Sequence, residues 1–339
     1  RASIGGGGRH GGQSMSATPS LPAPDAELPG DFVGPTLAQA PDRWVIELDG
    51  ATRRALDALA RATPDEHFER RVADAMHEVT ATCRDRLTHG PGVVLVRGVP
   101  VEGHAPAAVA ALFTAIGRGL GDPQAQNLDG EGITEVRDTG ADPQDPEVRL
   151  YRTRAAQGPH TDGADLIGLL CLRAAAQGGH SRIVSSVRVF KTIAARRPDL
   201  APLLLQPWYF HLPGGAARGL PEAMPRPIVR YDGRTLQSFF IGWYLRNAQG
   251  RPGVPLLDAA RRELLALYET TAEDPALVLE MDLRPGDLQW LRNAFVLHGR
   301  TAYDDPPPPA PGRHLLRLWL AAPDFDDTTP RFDDAGGVA

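Results

Sequence analysis

The run LIGLLCL at 166–172 is seven residues long and is among the longest apolar stretches in the chain. A membrane-spanning helix needs roughly 20 such residues, so this run has to be a buried strand or core segment of a folded domain. From about residue 130 onward, similar short segments follow one another: GITEVRD, LIGLLCLRAA, RIVSS, PIVRYDG, TLQSFFIG, LVLEMDL, DLQWLRN, FVLHGR and HLLRLWLA. Turn formers separate them, among them LRPGDL at 283–288, where Pro285 and Gly286 take the middle positions of a type II turn. Helical patterns interrupt the series near 187–197 and at 255–272, with no strand–helix–strand alternation. Many short strands without that alternation predict a barrel or sandwich, not a parallel α/β sheet.

The first third reads differently. Residues 16–42, rich in Pro, Ala and Ser, are expected to be irregular. A helix is predicted at 51–63 and a longer one within 65–90. In the latter, Phe68, Val72, Ala75, Met76 and Val79 recur at three- and four-residue steps and Gly90 stops the pattern. GVVLVRGVPV (92–101) reads as a buried strand, and PAAVAALFTAIGRGLG (106–121) as a helix opened by Pro106. The proline-rich DDPPPPAPGR (304–313) is expected to be an extended surface insertion. Residues 1–14, before Met15, are set aside as a leader or disordered tail. Residues 15–45 are taken as an irregular N-terminal segment, 46–325 as one domain and 326–339 as a C-terminal tail.

A 42% hydrophobic and 23% charged composition is ordinary for a globular chain. The net charge of −6 gives no basic surface for nucleic acid or for anionic membranes. Cys83 and Cys171 are too few for a disulfide framework and read as reduced, packed thiols of a cytoplasmic protein. The expected partner is therefore a small molecule, with no nucleic acid, no membrane and room for a homo-oligomer.

The chemistry-bearing residues begin at QGPHTDGADL (157–166). On an extended segment, residues two apart share a face, so His160 and Asp162 project together from a backbone loosened by Gly158, Pro159 and Gly163. A second histidine, His298, lies in FVLHGR. Two imidazoles and one carboxylate can bind Fe(II) on one side and leave three octahedral positions open. A bare H-x-D occurs often by chance, and His298 alone reads more readily as a satisfied core histidine. The surroundings shift the balance. Arg313 and Arg317 lie four apart in GRHLLRLWL and share a strand face, about 13 Å apart at roughly 3.3 Å per residue. Guanidiniums facing into a barrel have to be matched by anions, and a dicarboxylate would supply one.

With these residues in hand, the chain resembles the taurine dioxygenase (TauD/TfdA) family of Fe(II)- and 2-oxoglutarate-dependent oxygenases. The matching stretches are HTDGADLIGLLCLRAAAQGGHSRIVSS, LRPGDLQWLRNAFVLHGRTAYDD and RHLLRLWL, in the family's order, within a resemblance running from about 90 to 322. It implies a mainly β fold with flanking α elements: a double-stranded β-helix, or jelly roll, of cupin type with outer helices. It implies His160, Asp162 and His298 as iron ligands. Ser181 and Arg313 fall where relatives hold the distal carboxylate of 2-oxoglutarate, and Arg317 where they often bind an anionic part of the substrate or support the cosubstrate. Halogenating relatives replace the acidic ligand with a small residue, so Asp162 disfavours halogenation. The PPPPAP stretch lengthens the gap from His298 to Arg313 and leaves the register of Arg313 against Arg317 open. The implied reaction consumes 2-oxoglutarate and O2, releases succinate and CO2, and hydroxylates a small molecule such as an amino acid, small acid or natural-product intermediate. Desaturation or cyclisation would use the same ligands.

Blander readings stand beside these. Ser181 could cap a turn, Arg317 could serve an internal salt bridge, and Asn293 could orient the metal's surroundings or simply occupy a turn. His180, His211 and His314 are expected to lie outside the ligand set, and Asp165 to be a solvated loop carboxylate or part of a lid; the Phe, Trp and Tyr of 239–247 could line a pocket, but the stretch reads more readily as a core strand. The loops near 122–157 and 213–226 are expected to choose the substrate. Rival classes are a metal- or ligand-sensing barrel without catalysis, which would need neither Ser181 nor Arg313, and a zinc hydrolase, which would need a nearby general base.

Overall fold

Strands that bury both faces sort their residues by parity, and the strand His314–Ala321 shows the rule. Leu316, Leu318 and Leu320 pack outward against helices, while Leu315 and Trp319 point into an interior cluster and Arg317 stands between them on that inner face. The strand Val93–Arg97 sorts the same way, with Val94 and Val96 outward and Val93 and Leu95 inward. A computed structural model supplies these coordinates and describes residues 21–23, 25–126, 130–144, 148–212, 215, 219–307 and 309–325.

Among the described residues, two sheets carry the fold. The larger runs in the order Val45–Glu47, Val93–Arg97, Leu288–Arg292, Leu166–Arg173, His314–Ala321 and Asp122–Gln124, with Ile133–Val136 also paired to His314–Ala321. Its first pair is parallel and the others antiparallel. The smaller sheet runs Leu279–Met281, Ser181–Ser185, Val296–Arg300, Gln157–His160, all antiparallel. One apolar cluster contains inward residues of both, including Leu95, Ile167, Leu291 and Leu315 from the larger and Ile183, Met281 and Val296 from the smaller. The sheets therefore face each other across a shared core.

Helices cover both outer faces. Gly50–Arg61, Phe68–Thr88 and Pro106–Arg118 pack on the larger sheet through Leu56, Val72, Met76, Leu112 and Phe113. Ser186–Arg196 and Ala259–Ala272 cover the smaller sheet, meeting Val184 and Leu297. Asp49 and Asp258 cap two of these helices by accepting from the Thr52 and Arg261 amides, each at 2.7 Å. Cys83 and Cys171 are buried and unpaired as disulfides. No helix among the described residues is long and apolar enough to cross a membrane.

Three stretches depart from the sequence reading. The segment expected to be irregular contains a helix, Gly34–Ala38, and a 3-10 turn, Pro41–Arg43; each has a proline in its first turn, Pro35 and Pro41, pre-set for helical geometry. A hairpin, Pro207–His211 with Ala223–Pro227, was hidden by its prolines. The aromatic stretch 239–247 is not a strand: the chain turns into the helix Gly242–Ala248 after Ile241. Its aromatics favour strands, yet Gly242, Leu245 and Ala248 are buried at three-residue steps, which is helical spacing. Within the proline-rich stretch, Asp304, Pro307, Pro309, Ala310 and Pro311 are exposed, whereas Arg313 is buried.

Gly168 lies under the fully buried Trp290, where an added Cβ would stand 2.4 Å from the indole ring. Overpacking of this kind costs about 1–3 kcal/mol. Gly168→Ala should lower unfolding free energy by that amount in a denaturant titration. Gly132→Ala, where nothing lies within 4 Å of the added carbon, should change it by less than about 0.5 kcal/mol.

Candidate active site

The register of the smaller sheet builds the site. His160 and His298 are direct partners across antiparallel strands, which brings their ring centroids to 4.3 Å. Asp162 follows two residues after His160, and one donor atom from each of the three lies within 4.8 Å of the others. All three are buried. Asn293 fixes the carboxylate through the backbone: the Asp162 amide donates to Asn293 Oδ1 at 2.8 Å, and Asn293 Nδ2 donates to the Asp162 carbonyl at 2.7 Å. Asp162 Oδ2 accepts from Arg317 Nη1 at 3.1 Å and from Trp319 Nε1 at 3.0 Å. Its Oδ1 stands 3.8 Å from His160 Nε2.

Protonation follows from these contacts. His160 Nδ1 faces the Gly158 carbonyl at 2.9 Å and must be the protonated nitrogen, so Nε2 carries a lone pair. The Gln157 amide donates to that lone pair at 3.0 Å. His298 Nδ1 is buried without a partner among the described residues, and Nε2 lies 3.7 Å from Asp162 Oδ2, beyond hydrogen bonding. Burial pushes His160 below its ordinary value, and burial with the neighbouring His160 takes His298 down to about 3. Burial alone would raise the Asp162 carboxyl, but Arg317, His298, His160 and the Trp319 N–H outweigh it and hold the group at about 2. Two neutral imidazoles and an ionised carboxylate, with an orphaned nitrogen among them, fit a divalent metal ion.

A second polar group occupies the other end of the interior. Arg313 is buried, its Nη2 lies 3.5 Å from the Gly179 carbonyl, and its guanidinium sits 5.1 Å from the Tyr303 ring centroid. Its Nη1 has no partner among the described residues. Burial and the nearby Arg300 lower its pKa to about 10. Ser181 is two residues beyond Gly179, and its hydroxyl accepts from Gln289 Nε2 at 3.0 Å. A cavity of about 380 Å³ opens at this end, lined by Cys171, Gly179, Leu283, Arg313 and Leu315 among others. Arg313 and Arg317 are thus separated by function of place: the first faces this cavity, the second the triad.

The other expectations sort cleanly. His180 pairs with Asp282 and His314 contacts Arg173, both away from the triad. His211 lies edge-on to Tyr244. Asp165 is neither solvated nor part of a lid: it is fully buried, its carboxylate accepts the Ala322 amide at 2.7 Å, and its carbonyl accepts the Asn293 amide at 2.9 Å. The segment between two ligand-bearing loops needs a buried acceptor there, which a reading of local polarity misses. Within the two loop regions expected to choose the substrate, residues 127–129, 145–147, 213–214 and 216–218 lie outside the described residues. Sequence reasoning passed over Trp243, whose ring is 5.0 Å from that of His160, and Gln126, whose Oε1 accepts from Arg317 Nε at 2.8 Å. Trp319 was legible, being two residues from Arg317 on the same face.

Two histidines and one carboxylate gathered in a buried interior between sheets could hold a single metal ion. The family model described as "Taurine catabolism dioxygenase TauD, TfdA family" matches residues 53–319, and the chain belongs to this family. It is 30% identical over 249 residues to FR-33289 synthase of Streptomyces rubellomurinus (strain ATCC 31215), a match covering 72% of this chain and 73% of that protein. It is 30% identical over 237 residues to a uridine-5'-phosphate dioxygenase of an Amycolatopsis species, covering 64% and 81% respectively. Its fold is similar to that of an asparagine oxygenase solved with Fe(II), 2S,3S-3-hydroxyasparagine and succinate, with a TM-score of 0.65, 21% identity, and coverage of 83% of this chain and 94% of that one.

Two outcomes follow for metal binding. Gln157→Ala removes the donor that competes for His160 Nε2; a hydrogen bond of about 1 kcal/mol corresponds to roughly fivefold tighter Fe(II) binding, measured by anaerobic titration. In the native chain burial lowers the pKa of both imidazoles below the ordinary 6.5, so they hold less proton to displace near neutrality. Fe(II) affinity should therefore fall less between pH 8 and pH 6 than the order-of-tenfold loss that two histidines of ordinary pKa would cause.

Proposed function

We propose that the chain is an Fe(II)- and 2-oxoglutarate-dependent dioxygenase that hydroxylates an unactivated C–H bond of a small molecule. The carrying observation is the convergence of His160, Asp162 and His298 within 4.8 Å in a chain of the TauD/TfdA family. In this reading those three side chains hold the iron, within a core read as a double-stranded β-helix. When bound, iron with 2-oxoglutarate and O2 supplies the oxidising chemistry, in which one oxygen atom enters the substrate and the other enters succinate as CO2 leaves.

The protein's part is placement. Arg313, which lines the cavity and has an Nη1 without a partner among the described residues, supports a role in gripping the distal carboxylate, and Ser181 lies close enough in the chain to share it. Asn293, Trp319 and Arg317 keep Asp162 ionised and aimed. Arg317 also stands at the triad with Tyr151 and Trp319 against its guanidinium, which favours a small anionic substrate on that side. Two relatives bear on this: one has a name that specifies a phosphorylated nucleoside, and the other is a synthase of a named product. An amino acid, small acid or natural-product intermediate is the substrate class this reading favours.

Succinate formation with Fe(II), 2-oxoglutarate and O2 should be abolished by His160→Ala and by Asp162→Ala. Loss of a charged hydrogen bond worth about 1.5–3 kcal/mol should raise the half-saturating 2-oxoglutarate concentration of Arg313→Ala at least tenfold. Mass spectrometry of products from a small-molecule screen should show the gain of one oxygen; loss of two hydrogens would mark desaturation instead.

A further inference from the structure

Arg300 follows His298 by two residues on one strand, and the two side chains leave the same face. It is buried, and burial lowers its pKa. A buried guanidinium is costly unless its N–H groups are satisfied. Arg300 spends one nitrogen on three acceptors: Nη2 donates to the carbonyls of Leu150, Thr153 and Ala155 at 2.8, 2.5 and 3.0 Å. Its Nε and Nη1 have no partner among the described residues. The Tyr303 ring lies 5.0 Å beneath the same guanidinium, and the Tyr303 amide donates to the Arg154 carbonyl at 3.2 Å. The residues that follow His298 thus hold Leu150, Thr153, Arg154 and Ala155, while Thr139 and Asp138 hold Arg152 and the Arg154 side chain.

That segment leads directly into the strand Gln157–His160 and carries Tyr151, whose ring centroid is 5.1 Å from the Arg317 guanidinium. Arg317 in turn contacts Asp162. A line of contacts thus runs from the His298 strand through Arg300 to the 150–155 segment, and from Tyr151 back to Arg317.

We propose that Arg300 is a positioning residue for the substrate half of the site. By clamping the Leu150, Thr153 and Ala155 carbonyls it seats Tyr151 over Arg317 and closes that side of the pocket. This rests on the functional reading above for what the pocket holds, and on the geometry alone for the clamp.

The test uses the full chain. Arg300→Met keeps the side chain's length and removes its donors, Arg300→Lys restores a cation with fewer directions, and Tyr151→Ala removes the seated ring itself. In the Fe(II)- and 2-oxoglutarate-loaded protein, amide exchange at 149–156 should rise at least tenfold in Arg300→Met, with 93–97 and 288–292 unchanged. Arg300→Lys should recover part of that protection. The half-saturating 2-oxoglutarate concentration, read anaerobically from the visible charge-transfer band, should stay within threefold of wild type. Succinate release without added substrate should rise at least threefold in both Arg300→Met and Tyr151→Ala, because an opened pocket admits solvent to the reacting centre. Unchanged exchange at 149–156 would overturn the proposal. So would a tenfold loss of 2-oxoglutarate affinity without faster exchange, which would put Arg300 at the cosubstrate instead. Absence of the charge-transfer band in wild type would defeat the functional reading, while the exchange comparison, repeated on the protein as isolated, would still decide the clamp. Should Arg300→Met fail to fold, Arg300→Lys and Tyr151→Ala carry the same comparison.

Discussion

Asp162 has to remain ionised in a largely buried place, and much of the surrounding structure answers that demand. A carboxylate moved into a low-dielectric interior takes up a proton unless cations and N–H donors stabilise its charge. Here Arg317 and the Trp319 indole supply both on one oxygen, leaving the other toward His160. Those two residues alternate with the outward-packing Leu316, Leu318 and Leu320. The strand that anchors the helices outside is thus the strand that holds the charge inside. Asn293 adds the backbone half of the arrangement, since its amide fixes the peptide from which the carboxylate projects.

Charge balance then explains the other end of the interior. The triad and Arg317 together are close to neutral, with two uncharged imidazoles, one anion and one cation. Arg313 and Arg300 both lie about 5 Å from the Tyr303 ring centroid, and among the described residues Arg313 keeps an Nη1 without a partner. A divalent metal at the triad and the Arg313 guanidinium beyond it leave the interior short of negative charge. A dianion reaching from one to the other would reduce that excess, which is the electrostatic form of the preference for a dicarboxylate.

Much of this was legible in the sequence, for a reason that can be stated residue by residue. On extended segments a period of two paired His160 with Asp162 and Arg313 with Arg317, while their grouping with His298 and their roles were implied by the resemblance to the TauD/TfdA family. The helices showed through their three- and four-residue spacing. What stayed hidden depends on contacts that no local period encodes. Asp165 looked like a loop acid because its acceptor role is satisfied by Ala322, far along the chain. Trp243 sits on a short helix whose aromatic composition favours strands, and it reaches His160 only because the chain turns after Ile241. The Arg300 clamp joins residues about 150 apart in the chain.

The same dependence shows why so little side-chain packing is needed to keep the ligands together. His160 faces His298 through strand register, and a slip of one residue would send either ring to the opposite face. The pairing shifts register between His298 and Arg300, and at that irregularity Gly299 faces the Gln157 carbonyl so closely that a Cβ would lie 2.4 Å from it. Only a residue without a side chain lets the two strands approach there. Gly299 therefore does for the backbone what Asn293 does for the carboxylate. It lets His298 meet His160 and, one residue later, lets Arg300 reach the segment that leads into His160.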